Sequence, residues 1–249
     1  MAPTATKWEV LNLGVSAWGP QNALAYLETE GSAIGGSCLV YGFFEGNDVV
    51  DDMVRRLYTV KDGHLVKEPV VIPPVTRMMQ VRSVMLHIPL YDALIAHSQL
   101  FNVVRTGMIN RLARQLPAAA APDPYTQTTR EDFAAALDLN DATLDAMSTM
   151  AHARFGGFAL VLIPELGQLS TDPKVWRPFP TWMGEATHAR VLAWAKLHDV
   201  PVLDLRDYLP KDNESLAKHY FIKDFHLNAA GNHVLGKALG ERLPTLCAK

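Results

Sequence analysis

Cysteine is scarce in this chain, with only Cys38 and Cys247 among 249 residues. Two thiols cannot build a disulfide framework or a four-ligand zinc site, and Cys38 opens an apolar run that reads as a buried strand, so no structural disulfide is expected. An excess of positive charge is also missing: 23 Lys and Arg stand against 26 Asp and Glu, a net charge of -3 with no basic block. That excludes the electrostatic footprint of a nucleic-acid binder. No apolar run approaches the roughly 18 residues of a membrane span, and the first residues lack the basic and apolar regions of a signal peptide, so no membrane segment is expected in this chain. Internal repeats are absent. His64, His87, His97, His152, His188, His198, His219 and His233 show no ligand spacing, and neither a metal nor a cofactor is expected. What is present is 49% apolar residues, enough at this length to bury the core of one large domain.

Short β-like runs alternate with helical patterns. Trp8 to Leu13 reads as a strand and Gln21 to Glu30 as a helix; Cys38 to Phe44, Phe158 to Ile163 and Val200 to Leu205 read as further strands, with a helix from Glu185 to Leu197 between the last two. Alternation of this kind predicts an α/β fold built on a parallel sheet with helices on both faces. Between the second and third strands the connection far exceeds an ordinary αβ loop, so residues 50–156 are expected to form an insertion or subdomain within a single 1–249 domain. Within it, Lys61-Asp62-Gly63 between apolar alternations predicts a hairpin, and Asp92 to Leu116 and Arg130 to Phe155 carry helical spacing around a Pro- and Ala-rich link. Glu165 to Trp182, with three Pro and two Trp, reads as an ordered loop, and Asn228 to Leu243 as a closing helix.

Chemistry concentrates at the ends of these strands. In Lys223-Asp224-Phe225-His226-Leu227-Asn228 an acid and a histidine stand two apart before a helix. Imidazole can take a proton from a hydroxyl nucleophile and return it to a leaving group, while a carboxylate fixes its tautomer. Taken alone, Asp-x-His also describes a helix-entry turn. Asn12-Leu13-Gly14-Val15-Ser16 and Gly46-Asn47-Asp48 follow the first two presumed strands, at the edge where open α/β sheets bind ligands. A Gly amide and an Asn side chain are the donors an oxyanion hole requires, although both types also serve left-handed turn positions.

Taken together, Asn12 to Gln21, Phe43 to Asp48 and Asp224 to His226 resemble three blocks of the SGNH (GDSL-type) hydrolase superfamily, in the family's order and across almost the whole chain. The resemblance implies a three-layer, flavodoxin-like parallel sheet with a long, mostly helical insertion. It also implies a serine ester hydrolase of the acylesterase or deacetylase type, or an O-acyltransferase, acting on a small-molecule or carbohydrate ester without a cofactor. His226 becomes the general base, Asp224 its orienting acid, and Gly14 and Asn47 the oxyanion donors. Two departures follow. The commoner family spacing puts the acid three residues before the His, whereas Asp224 is two before His226, and no Gly-Asp-Ser nucleophile block occurs in the chain. In the family that block ends a central strand between those read here at Trp8 to Leu13 and Cys38 to Phe44. The chain is therefore expected to be N-terminally truncated, with Met1 an internal methionine and the nucleophile upstream; any targeting segment would lie there too, leaving cell envelope and cytoplasm both open.

Two other readings compete. Ser16, Asp204 and His226 have the chain order of an α/β-hydrolase triad, but Trp18 stands where the second Gly of that elbow belongs. A non-catalytic carbohydrate- or acyl-binding protein could instead grip its ligand through Trp176 and Trp182.

Overall fold

The computed structural model describes residues 8–15, 18–54, 56–69, 94, 97–105, 107, 128–177, 179–221 and 224–248. The chain divides into two compact units, one of residues 1–68 and 124–249 and one of residues 69–123. Of the second, residues 99–105 are helical, within the helix read from Asp92 to Leu116, whose remainder lies mostly outside the described residues.

The first unit is an α/β body around a three-stranded parallel sheet. Strand β1 (Leu39–Phe44) and, after a two-stranded hairpin and a long helix, β4 (Phe158–Ile163) and β5 (Val202–Asp204) lie in the order β1-β4-β5. Register pairs Leu39 with Phe158 through Phe44 with Ile163, and Leu160 with Val202. The Phe158–Ile163 run is apolar throughout because both faces of β4 are covered. Phe158, Leu160 and Leu162 meet α1 (Pro20–Glu30), α3 (Arg130–Phe155) and α5 (Thr181–Leu197) through Leu24, Leu27, Met147, Phe155, Val191 and Trp194. Ala159 and Val161 meet Leu166 of the short α4 (Leu166–Leu169), Leu216 of α6 (Asn213–Ala217) and Ala238 of α7 (Ala229–Leu246).

Local signals set the boundaries. Thr129 caps α3 by accepting from the Asp132 amide while the Asp132 carboxylate accepts from Thr129, and Gly156 ends the helix in a left-handed conformation at φ 80°. The hairpin β2 (Tyr58–Lys61) and β3 (His64–Lys67) turns through Asp62 and Gly63, both at positive φ, as the Asp-Gly pair predicts. Buried Gln21 anchors it to α1 by accepting the Leu57 and Tyr58 amides. Helix α2 (Asp48–Val54) follows β1, and α3 packs against α1 and α2, so that long helix belongs to the first unit although it falls within 50–156.

Two expectations are corrected. Residues 8–13 form no strand: β1 is the edge of the described sheet, and an extended segment without a neighbouring ladder has no partners for its amides and carbonyls. Cys38 and Cys247, expected to remain apart, form a disulfide with Cα atoms 5.7 Å apart. Their separation of 209 residues hid this, because only the packing of α7 beside β1 brings the last turn of the chain to the start of the strand. Closing so long a loop constrains the unfolded chain, so replacing both cysteines with Ser is expected to lower stability by about 3–5 kcal/mol. Urea midpoints of the oxidised protein and the double variant check this, and equal midpoints would assign the bond no stabilising role.

Candidate active site

At the carboxyl end of β1 the chain turns through Glu45-Gly46-Asn47 into α2. A Cβ at Gly46 would stand 2.6 Å from the Phe44 ring, so only Gly allows this close approach. The Phe44 ring then stacks on the His226 imidazole, with centroids 4.8 Å apart at 16°, and Phe225 stacks on His226 from beside it. His226 Nδ1 lies 2.5 Å from Asp224 Oδ1, the pair the sequence singled out, in a turn where Phe225 carries a positive φ. His226 is half exposed, at 48% of its side chain, and Asp224 is more so.

The turn is clamped from behind. Asn228, the N-cap of α7, accepts from the Ala230 and Gly231 amides and donates to the Lys218 and Tyr220 carbonyls. Gly231 is obligatory there, since a Cβ would lie 2.3 Å from the His219 carbonyl oxygen. Tyr220 in turn donates its hydroxyl to the Pro164 carbonyl at the end of β4, tying the Asp224–His226 segment to the sheet.

Gly14, Asn47 and His226 line one groove of about 790 Å³ that runs along β1, whose other walls include Trp8 to Val15, Leu27, Met147 and Phe155 on one side and Leu235, Leu239 and Leu243 on the other. The Gly14 amide donates to Asn12 Oδ1 at 3.0 Å, and Asn47 Nδ2 donates to Asp51 Oδ2 at 2.9 Å. Positive φ among the described residues occurs at Asp62, Asp199, Phe225, Gly63 and Gly156. Neither Gly14 nor Asn47 is among them, so a left-handed turn does not explain the identity of either.

Ser16 lies outside the described residues. Asp204 turns to other partners than His226: it accepts the Arg206 amide at 2.9 Å and lies 3.6 Å from His188 Nε2. Trp182 is fixed against Phe133 and under the Arg130 guanidinium, whereas Trp176 is 51% exposed and 5.4 Å from Phe225, next to His226.

A charged network that the sequence did not reveal supports the edge. Glu45, with no exposed side-chain surface, pairs with His188 Nδ1 at 2.6 Å and with Arg206 Nη2 at 2.5 Å. The one signal for it was a carboxylate directly following an apolar strand. Nearby, burial pushes the Glu165 carboxyl up to about 7, only partly offset by Arg177. Burial likewise raises Asp48 to about 8, although it accepts from the Phe44 amide at 2.9 Å and the Tyr41 hydroxyl at 3.3 Å. Such upward shifts keep these carboxyls partly neutral around pH 7 and so reduce the cost of burying them.

Among the described residues no group of three or more His, Cys, Asp or Glu is placed to hold a metal ion, and no helix is long and apolar enough to cross a membrane. Compared with protein-family models, curated proteins and solved structures, the chain finds no match.

Proposed function

We propose that this chain carries the base, acid and oxyanion donors of an SGNH-type serine ester hydrolase, and that its parallel strands belong to a larger flavodoxin-like sheet whose nucleophile-bearing strand lies upstream of these 249 residues. The observation that carries the reading is the shared groove, lined by His226, which is hydrogen-bonded to Asp224, and by Gly14 and Asn47. With Nδ1 held by Asp224, Nε2 is the nitrogen available to take the proton of a serine hydroxyl as it attacks an ester carbonyl. The developing oxyanion is met by the second N–H of the Asn47 amide and by the Gly14 amide once the exposed Asn12 side chain turns away. His226 then returns the proton to the leaving alcohol and activates water against the acyl-enzyme; an acceptor alcohol in place of water makes the same site an O-acyltransferase.

The substrate is a small-molecule or carbohydrate ester, and the half-exposed Trp176 offers a face for its apolar side. That same exposed ring supports the second reading, a non-catalytic carbohydrate- or acyl-binding protein. The Cys38–Cys247 bond favours an oxidising compartment such as the cell envelope over the cytoplasm.

The test is hydrolysis of p-nitrophenyl acetate by the 249-residue chain and by a form extended at its N-terminus through a Gly-Asp-Ser strand. The expected result is turnover by the extended form alone, since a base and oxyanion donors without a nucleophile give only residual catalysis. Turnover by the chain alone that is lost in Ser16→Ala would overturn this and make Ser16 the nucleophile; an inactive extended form that still binds the ester would favour the binding protein.

A further inference from the structure

The loop between α4 and α5 is closed around a single side chain. Arg177 donates to four main-chain carbonyls of that segment: Nε to Gly167 at 3.2 Å, Nη1 to Asp172 and to Val175 at 3.1 Å each, and Nη2 to Ser170 at 2.6 Å. Gly167 makes the approach possible, since a Cβ there would lie 2.9 Å from Arg177 Cγ. From the other side, Asn213 at the start of α6 accepts from the Ser170 hydroxyl and the Thr171 amide and donates to the Thr171 hydroxyl. A loop tied at so many points has already lost its backbone freedom, and a side chain it carries into solvent meets a ligand without a further ordering cost on the main chain.

The side chain it carries outward is Trp176. A Trp that anchors a loop packs on the body of the protein, as Trp182 does against Phe133 and beneath the Arg130 guanidinium. Trp176 instead keeps 51% of its surface in solvent. Its inner contact is Phe225, 5.4 Å away, and Phe225 in turn stacks on His226, so one ring separates Trp176 from the imidazole. The Asp224 carboxylate beside them is 64% exposed. Trp176 is no part of the wall of the groove along β1; it is an open shelf at the edge of the site.

That geometry selects among ligands. An acyl chain gains by enclosure, and on an open ring its outer side stays wet, so little apolar area leaves water. A sugar ring has one C–H face that is apolar and a rim of hydroxyls. Laid on Trp176 it buries the first, while the second meets a carboxylate that accepts and an imidazole that donates or accepts.

We propose that Trp176 is a stacking shelf for a sugar ring, and that the ligand of this chain is a carbohydrate, held by its apolar face on Trp176 with its hydroxyls toward Asp224 and His226. That the same sugar carries an ester rests on the ester-hydrolase reading; the shelf does not.

The experiment applies the 249-residue chain, labelled with 5-fluorotryptophan, to an array of immobilised neutral and acidic oligosaccharides, and titrates it in solution with the one most strongly retained, followed by fluorine NMR. The chain has five Trp, and the Trp176 resonance is the one missing from Trp176→Phe. Saturable binding is expected, with the Trp176 resonance moving and that of Trp194 staying in place. Trp176→Ala is expected to weaken binding by roughly tenfold or more, and Trp176→Phe, which keeps an aromatic face, by only about threefold. Should Trp176→Ala fail to fold, the resonance shift in the unsubstituted chain decides. No oligosaccharide retained, binding that leaves the Trp176 resonance in place, binding that Trp176→Ala leaves unchanged, or a shift produced by decanoate and by no oligosaccharide would each overturn the proposal. Sugar binding through Trp176 in a protein whose extended form does not hydrolyse p-nitrophenyl acetate upholds the shelf and counts against the ester-hydrolase reading alone.

Discussion

On the proposed ester-hydrolase reading, His226→Ala in a form extended at its N-terminus through a Gly-Asp-Ser strand is expected to lower turnover by roughly 10³–10⁶ with the fold intact. Its imidazole packs against Phe44 and Phe225, which also touch each other, and is half exposed, so truncating it opens no enclosed core cavity, and the thermal midpoint should move little. The control is His233→Ala, seven residues on in the exposed face of α7, which is expected to leave turnover near normal. Equal losses for His226→Ala and His233→Ala, in proteins whose circular dichroism is unchanged, would mean that the wrong histidine has been assigned.

Much of the fold was legible because local chemistry set it. The α3 limits, Arg130 and Phe155, coincide with the sequence reading, since Thr129, Asp132 and Gly156 are capping residues whose effect depends on nothing distant. Strand β4 was equally plain from its apolar run and the Pro164 stop, and the hairpin from Asp62-Gly63. The strand expected at Trp8 to Leu13 failed for a different reason. Alternation gives a segment the capacity to pair, but a ladder also needs a neighbour, and among the described residues no strand pairs with this segment. The disulfide failed similarly: its formation depends on where α7 packs, a tertiary fact that two cysteines 209 residues apart do not encode locally.

The candidate site divides along the same line. Asp224 and His226 are near neighbours in sequence, and the hydrogen bond between them could be anticipated from a spacing of two. That Gly14, Asn47 and His226 line one groove is a consequence of tertiary packing among segments far apart in the chain, which no local pattern encodes. Glu45, His188, Asp204 and Arg206 come from the turn after β1, α5, β5 and the turn after β5, with no shared motif. Arg206 offsets the charge of the fully buried Glu45 and His188 hydrogen-bonds it, which holds the turn that carries Gly46 and Asn47. A buried carboxylate left without its cations would cost several kcal/mol.

Asn47 is where a structural role and the proposed catalytic one can be separated. It stands directly before α2 and its carbonyl accepts the Asp51 amide at 2.7 Å, so it has a structural share in the helix entry. Its side-chain nitrogen has two hydrogens, and the bond to Asp51 Oδ2 uses one. A Gly in its place preserves the helix entry at a cost of only a few tenths of a kcal/mol, because Gly is itself accepted at that position. It has no side-chain amide to donate. Asn47→Gly in the extended protein is therefore expected to lower turnover by about 10²–10³ while KM and the thermal midpoint stay close to their original values, since an oxyanion donor acts on charge that develops only in the transition state. Turnover and melting are measured on the same preparation. Near-normal turnover in a folded Asn47→Gly protein would remove the Asn47 amide from the oxyanion hole, confine that residue to the entry of α2, and leave the Gly14 amide as the sole donor to the oxyanion.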